Sequence, residues 1–302
     1  MLGATQCPVP YKPLTQPHVY QAMEHDIRAA GILHHTIYRR EEPADWMVFI
    51  HGAGGSSVTW KHQVKAFRPF FNLLLIDMRD HGYSKDLEPE YSSYDFDIVT
   101  DDVLRTIDHV GIQRAHFLSL SLGSIVLQRL YDRRPELIDS MIMAGGVFKA
   151  DWKIRLFAHS GKFLSYFVPF RWIYDTFILI VLPRENHAPS RRLYRLQSKK
   201  LSPTEFLKWL GLYRDFFSIV RRFYRRKLRT SSLIVMGGQD HVFLEAAQRF
   251  AKKQAHHAQL VVLEGCGHLC NLEEVQRFNE AVLKFLEKPV APTLRAADGT
   301  AR

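Results

Sequence analysis

Residues 115–127 read Ala-His-Phe-Leu-Ser-Leu-Ser-Leu-Gly-Ser-Ile-Val-Leu, and they carry the strongest indication of fold in the chain. The apolar run Ala115–Leu120 predicts a β-strand, and Leu122–Arg134 predicts the helix that follows it. A serine at such a junction has a strained backbone and an exposed hydroxyl, usually within Gly-x-Ser-x-Gly. Ser119 replaces the first glycine here. Ser121 is therefore a candidate nucleophile, and an ordinary helix N-cap is the alternative.

The rest of the chain repeats this alternation of short apolar runs and longer amphipathic segments. Phe96–Val110 and Leu272–Leu286 have apolar residues at helical spacing, and Gly31–Tyr38 predicts an antiparallel strand. The remaining predicted strands are continuous apolar runs: Trp46–Ile50, Asn72–Ile76, Asp139–Ala144, Ser232–Met236 and Gln259–Leu263. This order predicts an α/β fold with a mostly parallel sheet and helices on both faces.

A glycine-rich turn follows the strand Trp46–Ile50 and reads His51-Gly52-Ala53-Gly54-Gly55. Its glycines allow backbone N–H groups to converge on one point, as an oxyanion hole requires. We expect the amides of Ala53 and Leu122 to be the donors. A nucleotide-binding loop is disfavoured, because the turn matches neither Gly-x-Gly-x-x-Gly nor the phosphate-binding loop with its Lys.

Two more polar residues stand directly after predicted strands. Asp240 follows Gly237-Gly238-Gln239, and His268 follows Cys266-Gly267. Parallel strands end at one edge of their sheet, so both side chains should lie near Ser121. We predict that Ser121 attacks, that His268 accepts its proton and that Asp240 orients the imidazole. The alternation of Cys266, His268 and Cys270 does not have the pairing of a zinc site, so no metal is predicted.

Together these motifs resemble the α/β-hydrolase superfamily, specifically its cap-bearing serine hydrolases, over roughly residues 31–286. The resemblance also includes residues 77–84, Asp-Met-Arg-Asp-His-Gly-Tyr-Ser, a turn that either supports the pocket floor or is purely structural. It implies an eight-stranded, mostly parallel sheet and an acyl-enzyme mechanism without a cofactor. Haloalkane dehalogenases and epoxide hydrolases of this fold have aspartate at the elbow, where this chain has Ser121.

The predicted domain organisation is a core with one insertion. Residues 1–22 form an N-terminal arm, 23–148 and 230–288 the core, 149–229 a helical cap and 289–302 a disordered tail. The cap has 19 Lys and Arg against 5 Asp and Glu, whereas the remainder of the chain has 22 against 26. The whole positive charge excess therefore lies in the cap.

Aromatic residues are dense in the cap and predict an apolar roof over the site, although at least half of them should form the cap's own core. The aromatic residues proposed for the lining are Phe163, Tyr166, Phe167, Phe170, Trp172, Tyr174, Phe177, Trp209, Tyr213, Phe216 and Phe217. The substrate-binding candidates are Gly52, Phe148, Trp172, Trp209 and Phe217.

These features predict a hydrolase of small-molecule carboxylic esters with a hydrophobic acyl or aryl group. The alternatives are a lipase or thioesterase for longer acyl chains, a C–C bond hydrolase, and a non-catalytic ligand-binding protein. Nucleic-acid binding is not predicted, whereas the basic run Arg221–Arg229 is a candidate for peripheral membrane contact. Three cysteines and the absence of a signal peptide favour the cytoplasm, and the oligomeric state stays open.

Overall fold

The computed structural model describes residues 30–149, 160 and 167–289. The predicted N-terminal arm, most of the predicted tail, and Phe163 and Tyr166 lie outside the described residues. The described residues form one seven-stranded sheet with helices packed on both faces, which confirms the predicted α/β hydrolase fold. The resemblance implied eight strands, so the described part of the chain has one fewer.

The sheet is mostly parallel and has the strand order β1-β3-β2-β4-β5-β6-β7, with β1 pairing antiparallel to β3. All the strand predictions are confirmed to within one residue, except that the first strand is shorter than Gly31–Tyr38. The strands are β1 His35–Tyr38, β2 Trp46–Ile50, β3 Asn72–Ile76, β4 Ala115–Leu120, β5 Ile138–Ala144, β6 Ser231–Gly237 and β7 Ala258–Leu263. The carboxyl ends of β2 to β7 therefore lie at one edge.

Helices cover both faces of the sheet because the central strands are apolar on both sides and must be shielded from water on each face. The core helices are α1 Lys61–Phe67, α2 Phe96–Val110, α3 Leu122–Arg133, α8 Leu244–Lys253, α9 Cys270–Glu273 and α10 Val275–Phe285. Asp95 caps the first turn of α2, and Gly111 ends it with a φ of 80°. The single helix predicted over Leu272–Leu286 is wrong at its start, since Glu274 separates α9 from α10 with a non-helical backbone.

Four helices lie between β5 and β6 in the part of residues 149–229 that the structure describes. They are α4 Phe170–Val181, α5 Ala188–Ser198, α6 Pro203–Leu210 and α7 Tyr213–Arg225. Gly211 and Leu212 separate α6 from α7. Ser202 begins α6 with a capping box, because its hydroxyl accepts from Glu205 N and the Glu205 carboxylate accepts from Ser202 N.

The basic run at residues 221–229 is partly used inside the molecule. Helix α7 packs against α3, and Arg226 Nη1 lies 2.5 Å from Asp132 Oδ1. The same guanidinium lies 4.5 Å from the ring centroid of Tyr131. Arg226 therefore joins the cap to the core, whereas exposed charge comes from Arg221, Arg225, Lys227 and Arg229. Within residues 30–149 and 167–289, no helix has the length and apolar character needed to cross a membrane.

Candidate active site

Ser121 occupies the turn between β4 and α3, and its backbone has a φ of 51° and a ψ of −117°. This conformation is costly for a residue with a side chain, and such strain is concentrated at functional sites. The turn is held on both sides, because Ser121 N donates to Ala144 O at 3.0 Å and Ser124 N donates to Ser121 O at 2.8 Å. A Cβ at Gly123 would lie 2.5 Å from Ile50 O, so only glycine fits next to β2.

Ser119 takes the place of the first glycine of the usual motif without disturbing the turn. Its side chain is fully buried between β4 and β5. The hydroxyl donates to Ile142 O at 3.2 Å, so the additional polar atom is satisfied. The departure from the motif therefore leaves the elbow intact.

The structure brings Ser121, His268 and Asp240 into one chain of hydrogen bonds at the carboxyl edge of the sheet. Ser121 Oγ lies 2.8 Å from His268 Nε2, and His268 Nδ1 lies 2.7 Å from Asp240 Oδ2. With the proton on Nδ1, the imidazole donates to the carboxylate and its Nε2 is free to accept the serine proton. The geometry is that of a nucleophile, a base and a group that orients the base.

Asp240 is fully buried at the end of β6. Burial raises the pKa of this carboxyl, but the charge and hydrogen bond of His268 and the backbone donors Phe243 N and Val242 N together bring the pKa below its ordinary value. The two backbone amides donate to Oδ1 at 3.0 and 3.2 Å and leave Oδ2 for His268. The carboxylate is therefore charged and fixed in orientation.

Two buried histidines shape the turn after β2. His51 Nδ1 donates to Gly52 O at 2.8 Å and its Nε2 accepts from Met78 N at 2.9 Å. His81 Nε2 accepts from Gly54 N at 3.0 Å. Burial lowers the pKa of both rings, and that of His81 falls to about 3, so both are neutral and can accept. They fix the glycine turn beside Ser121.

The amides of Ala53 and Leu122, the two predicted oxyanion donors, both lie beside Ser121. Leu122 N is in the first turn of α3, where backbone N–H groups have no partner within the helix. Neither amide donates a hydrogen bond to any residue that the structure describes. Ala53 also lines the cavity beside Ser121.

The turn at residues 77–84 is hydrogen-bonded to the glycine turn after β2 and is not among the described residues that line the cavity. Asp77 accepts from Ser57 N at 2.6 Å and from Tyr83 N at 3.1 Å. Burial raises the pKa of Asp77, but hydrogen bonds from His34 and these amides, together with the nearby imidazole of His51, outweigh the effect of burial and lower the pKa to about 2. Asp77 therefore ties the turns after β2 and β3 together.

The cap also contacts the loops that position Asp240 and His268, a contact that the sequence did not reveal. Asn186 Nδ2 donates to Gly265 O at 2.9 Å and to Gln239 Oε1 at 3.0 Å. His187, which is fully buried, donates from Nε2 to Gln239 Oε1 at 2.8 Å. The segment before α5 thereby holds both loops against the cap.

The two cysteines beside His268 are separate buried thiols. Cys266 Sγ donates to Leu263 O at 3.2 Å, and Cys270 Sγ donates to Val235 O at 3.4 Å. Burial raises the pKa of Cys266 to about 12. Across the ranges 30–149 and 167–289, no group of three or more His, Cys, Asp and Glu side chains is arranged to hold a metal ion.

A narrow, mostly apolar cavity opens beside Ser121. The volume of the cavity is ≈ 30 Å³. Its described lining combines the site with the inner faces of α4 and α5, and consists of Ala53, Ser121, Tyr174, Phe177, Ile178, Val181, Leu182, Tyr194, His268 and Leu269. The aromatic pattern of the sequence predicts Tyr174 and Phe177 in the lining but not the aliphatic residues or Tyr194, because a helical pattern does not show which face of the helix meets Ser121.

Of the five substrate-binding candidates, Gly52 alone lies against Ser121, since a Cβ at Gly52 would be 3.2 Å from Ser121 Cβ. Phe148 is in the core, where its ring stacks on Phe250 at 4.5 Å. Trp209 is buried between His81 and Tyr94. Trp172 is 69% exposed on the outer side of α4.

Phe217 is half-buried on α7 and packs edge-to-face on Phe216. Phe148, Trp172, Trp209 and Phe217 are therefore not part of the described cavity lining. These four positions differ because an aromatic side chain in or beneath the cap can be buried against the core, buried within the cap, or left exposed.

A mostly parallel sheet with a serine, a histidine and a carboxylate joined at its carboxyl edge is the arrangement of the α/β hydrolases. Residues 47–281 match the model of the Alpha/beta hydrolase family. The match covers more than half of the chain, so the chain belongs to that family.

Individual relatives are distant but match over most of their length. The chain is 25% identical to 3-oxoadipate enol-lactonase 2 of Acinetobacter baylyi, over 84% of the chain and 92% of the relative. A hydrolase from Pseudomonas aeruginosa PA01 has a TM-score of 0.70 and 25% identity, over 83% of this chain and 93% of that one. An Exiguobacterium antarcticum esterase has a TM-score of 0.71 and 17% identity, over 86% and 98%. The family and the enol-lactonase relative support hydrolase activity in general, and the likeness to the esterase structure shows the fold.

Proposed function

We propose that the chain is a serine hydrolase that cleaves a carboxylic ester with an apolar acyl group through an acyl-enzyme intermediate. The observation that carries the proposal is the continuous chain from Ser121 Oγ through His268 to Asp240, with distances of 2.8 and 2.7 Å. The nearby amides of Ala53 and Leu122 supply donors for the oxyanion.

The proposed reaction proceeds in two halves. Ser121 Oγ attacks the ester carbonyl while His268 Nε2 takes its proton, and the two amides stabilise the negative oxygen of the tetrahedral intermediate. The intermediate collapses, His268 protonates the leaving alcohol, and the acyl group remains on Ser121. A water molecule activated by His268 then attacks the acyl-enzyme and releases the acid and the free serine. Asp240 stabilises the imidazolium in both halves.

The cavity favours a small or medium apolar acyl group. Its described lining has aliphatic and aromatic residues and includes no Lys, Arg, Asp or Glu. An enol-lactonase among the relatives is consistent with ester cleavage. A longer acyl chain, as in the lipase and thioesterase alternatives, would require α4 and α5 to move apart, because the cavity is narrow.

Hydrolysis of p-nitrophenyl esters from acetate to palmitate, by wild type and by Ser121→Ala, tests the proposal. We expect wild-type turnover to be highest for short acyl chains and to be lost in Ser121→Ala. Ser218→Ala, an exposed serine on α7, is the matched control and should retain activity. A folded wild type that hydrolyses none of these esters would contradict the proposal and favour the non-catalytic ligand-binding alternative.

We further propose that the outer side of the cap contacts anionic membranes. Trp172, Leu179 and Ile180 are exposed on α4, with Arg171 and Arg184 exposed near its ends. Exposed apolar residues next to basic residues are typical of interfacial helices. Co-sedimentation with phosphatidylcholine vesicles, with and without phosphatidylserine, tests this. Binding that requires phosphatidylserine and is weakened by Trp172→Ala supports contact, and the absence of binding to either vesicle contradicts it.

A further inference from the structure

Tyr194 carries a buried hydroxyl on the inner side of the cap. Tyr194 lies on the inner face of α5, is 6% exposed and lines the cavity beside Ser121. Its Oη has no hydrogen-bond partner among the residues that the structure describes. A buried hydroxyl without a partner destabilises a protein, so its retention indicates a partner that arrives with a ligand.

The neighbouring tyrosine of the cavity behaves differently. Tyr174 Oη donates to Ala53 O at 3.3 Å and thus has a partner within the protein. Burial raises the pKa of Tyr194 above its ordinary value, so its hydroxyl is a neutral donor. Two tyrosines therefore lie in one apolar cavity, and the donor of Tyr194 is the one available to a ligand.

The unpartnered hydroxyl lies close to the nucleophile. The position that a Cβ at Gly52 would take is 3.6 Å from Tyr194 Oη and 3.2 Å from Ser121 Cβ. A Cβ at Gly55 would lie 3.3 Å from the same hydroxyl. Only the backbone of these two glycines stands beside Tyr194 and Ser121, and the side chains of Tyr194 and Ser121 line the same cavity, where the acyl part of a substrate attached to Ser121 would lie.

The scissile carbonyl oxygen already has two donors in the proposed mechanism, the amides of Ala53 and Leu122. The acceptor for Tyr194 is therefore a different atom of the substrate. It is also a neutral atom, because no Lys or Arg among the described lining residues would balance a carboxylate in this cavity.

We propose that Tyr194 Oη donates a hydrogen bond to a neutral ether or keto oxygen on the acyl group, close to the scissile carbonyl. Tyr194 is then a specificity-determining residue, and preferred substrates are short, apolar esters with one such oxygen. This inference rests on the proposed ester hydrolysis and adds a substrate class to it. A site built to donate this bond discriminates against the analogue that lacks the acceptor.

The test compares two p-nitrophenyl esters of the same shape, methoxyacetate and butyrate, which differ by an ether oxygen in place of a methylene. The measured quantity is the ratio of their kcat/KM values in wild type and variant, which removes their different intrinsic reactivities. We expect Tyr194→Phe to lower the methoxyacetate-to-butyrate ratio about tenfold, the effect of one lost hydrogen bond of about 1.4 kcal/mol. Its Tm should be unchanged or higher, because the unpartnered hydroxyl is gone.

Tyr174→Phe is the matched control, since it removes a hydroxyl from the same cavity. Its ratio should equal that of wild type, because the lost bond to Ala53 O affects both esters alike. An unchanged ratio in Tyr194→Phe would overturn the inference. An equal loss of kcat/KM for both esters in Tyr194→Phe would also overturn the inference, because the hydroxyl would then act on the scissile carbonyl.

A second measurement separates this inference from ester hydrolysis itself. Methoxyacetone and 2-pentanone are unreactive ketones with the same difference of one ether oxygen, and their binding is measured by NMR titration without turnover. A selective loss of methoxyacetone affinity in Tyr194→Phe supports the role of the hydroxyl even if wild type cleaves neither ester. Equal affinities for the two ketones in both proteins would refute the role of the hydroxyl.

Discussion

The edge of the sheet and the cap above it form one cavity by different physical means. Ser121, Asp240 and His268 stand on turns whose backbone is fixed by strands and by buried hydrogen bonds such as Ser121 N to Ala144 O at 3.0 Å. The cap contributes through side chains on α4 and α5 whose direction depends on helix packing. The edge of the sheet therefore positions the three residues of the proposed reaction, whereas the cap determines the shape and polarity of the cavity beside them.

The same difference is visible in how polar groups are satisfied. At the edge, Asp77, Asp240 and His51 are buried and have two or more protein hydrogen bonds each. In the cap, the buried Tyr194 hydroxyl has no partner among the described residues. A site that must perform one reaction is preorganised by its own groups, whereas a site that selects a ligand leaves a group unpaired for it.

The largest expected effect falls on the edge. Asp240→Asn should lower kcat for p-nitrophenyl butyrate about 10⁴-fold, because an amide no longer favours the imidazole tautomer with its proton on Nδ1. The variant should remain folded, since the side chain keeps its shape. Steady-state kinetics with circular dichroism checks this, and a kcat within tenfold of wild type would show that Asp240 does not orient His268.

Substitution of two aromatic residues, Phe148 in the core beneath the cap and Trp172 on the exposed side of the cap, compares the stability contributions of these two regions. Phe148→Ala should reduce the free energy of unfolding by about 3–5 kcal/mol, because it leaves a void beside the ring of Phe250. Trp172→Ala should change it by less than about 0.5 kcal/mol, since the side chain is exposed. Urea unfolding measures both. Equal effects from the two substitutions would refute the assignment of Phe148 to the core.

Ion pairs provide a second comparison. Arg79 Nε and Nη2 donate to the Asp102 carboxylate at 2.7 and 2.8 Å, and both side chains are buried. Asp102→Asn should cost about 3 kcal/mol, because it leaves the Arg79 charge poorly compensated. Asp175→Asn breaks the exposed cap pair with Arg195 and should cost less than about 0.5 kcal/mol. Urea unfolding measures both losses of stability. A larger loss for Asp175→Asn than for Asp102→Asn would contradict this order.

Acid should destabilise the folded chain through Asp77, by less than the loss of the Phe148 ring or of the Asp102 charge does. Its pKa is lowered from 3.8 to about 2 in the folded chain, so its ionised form stabilises the protein above about pH 4. That contribution, about 2 kcal/mol, is lost as the pH falls through the folded pKa. Urea unfolding of wild type and Asp77→Asn should differ at pH 7 and converge near pH 2. A difference that is constant with pH would show that Asp77 is not held in this way.

Sequence patterns predicted the edge well because its elements are local. Strand β4, the serine turn and the start of α3 lie within thirteen consecutive residues. Asp240 and His268 each stand a few residues after the strand that precedes them. The cap was harder, because Trp172 and Tyr174 are two residues apart on α4, yet one is exposed and the other lines the cavity. The packing of α4 on the core determines which of the two is buried, and this packing cannot be deduced from the aromatic composition of the cap.

Labelling with a fluorophosphonate, followed by intact mass spectrometry, tests the central claim most directly, because the reagent forms a covalent bond with a serine that a neighbouring base activates. We predict one adduct on wild type, located at Ser121 by peptide mapping, none on Ser121→Ala and a strongly slowed adduct on Asp240→Asn. Wild type that stays unlabelled while correctly folded, or an adduct that persists in Ser121→Ala, would contradict the assignment of Ser121 as the nucleophile.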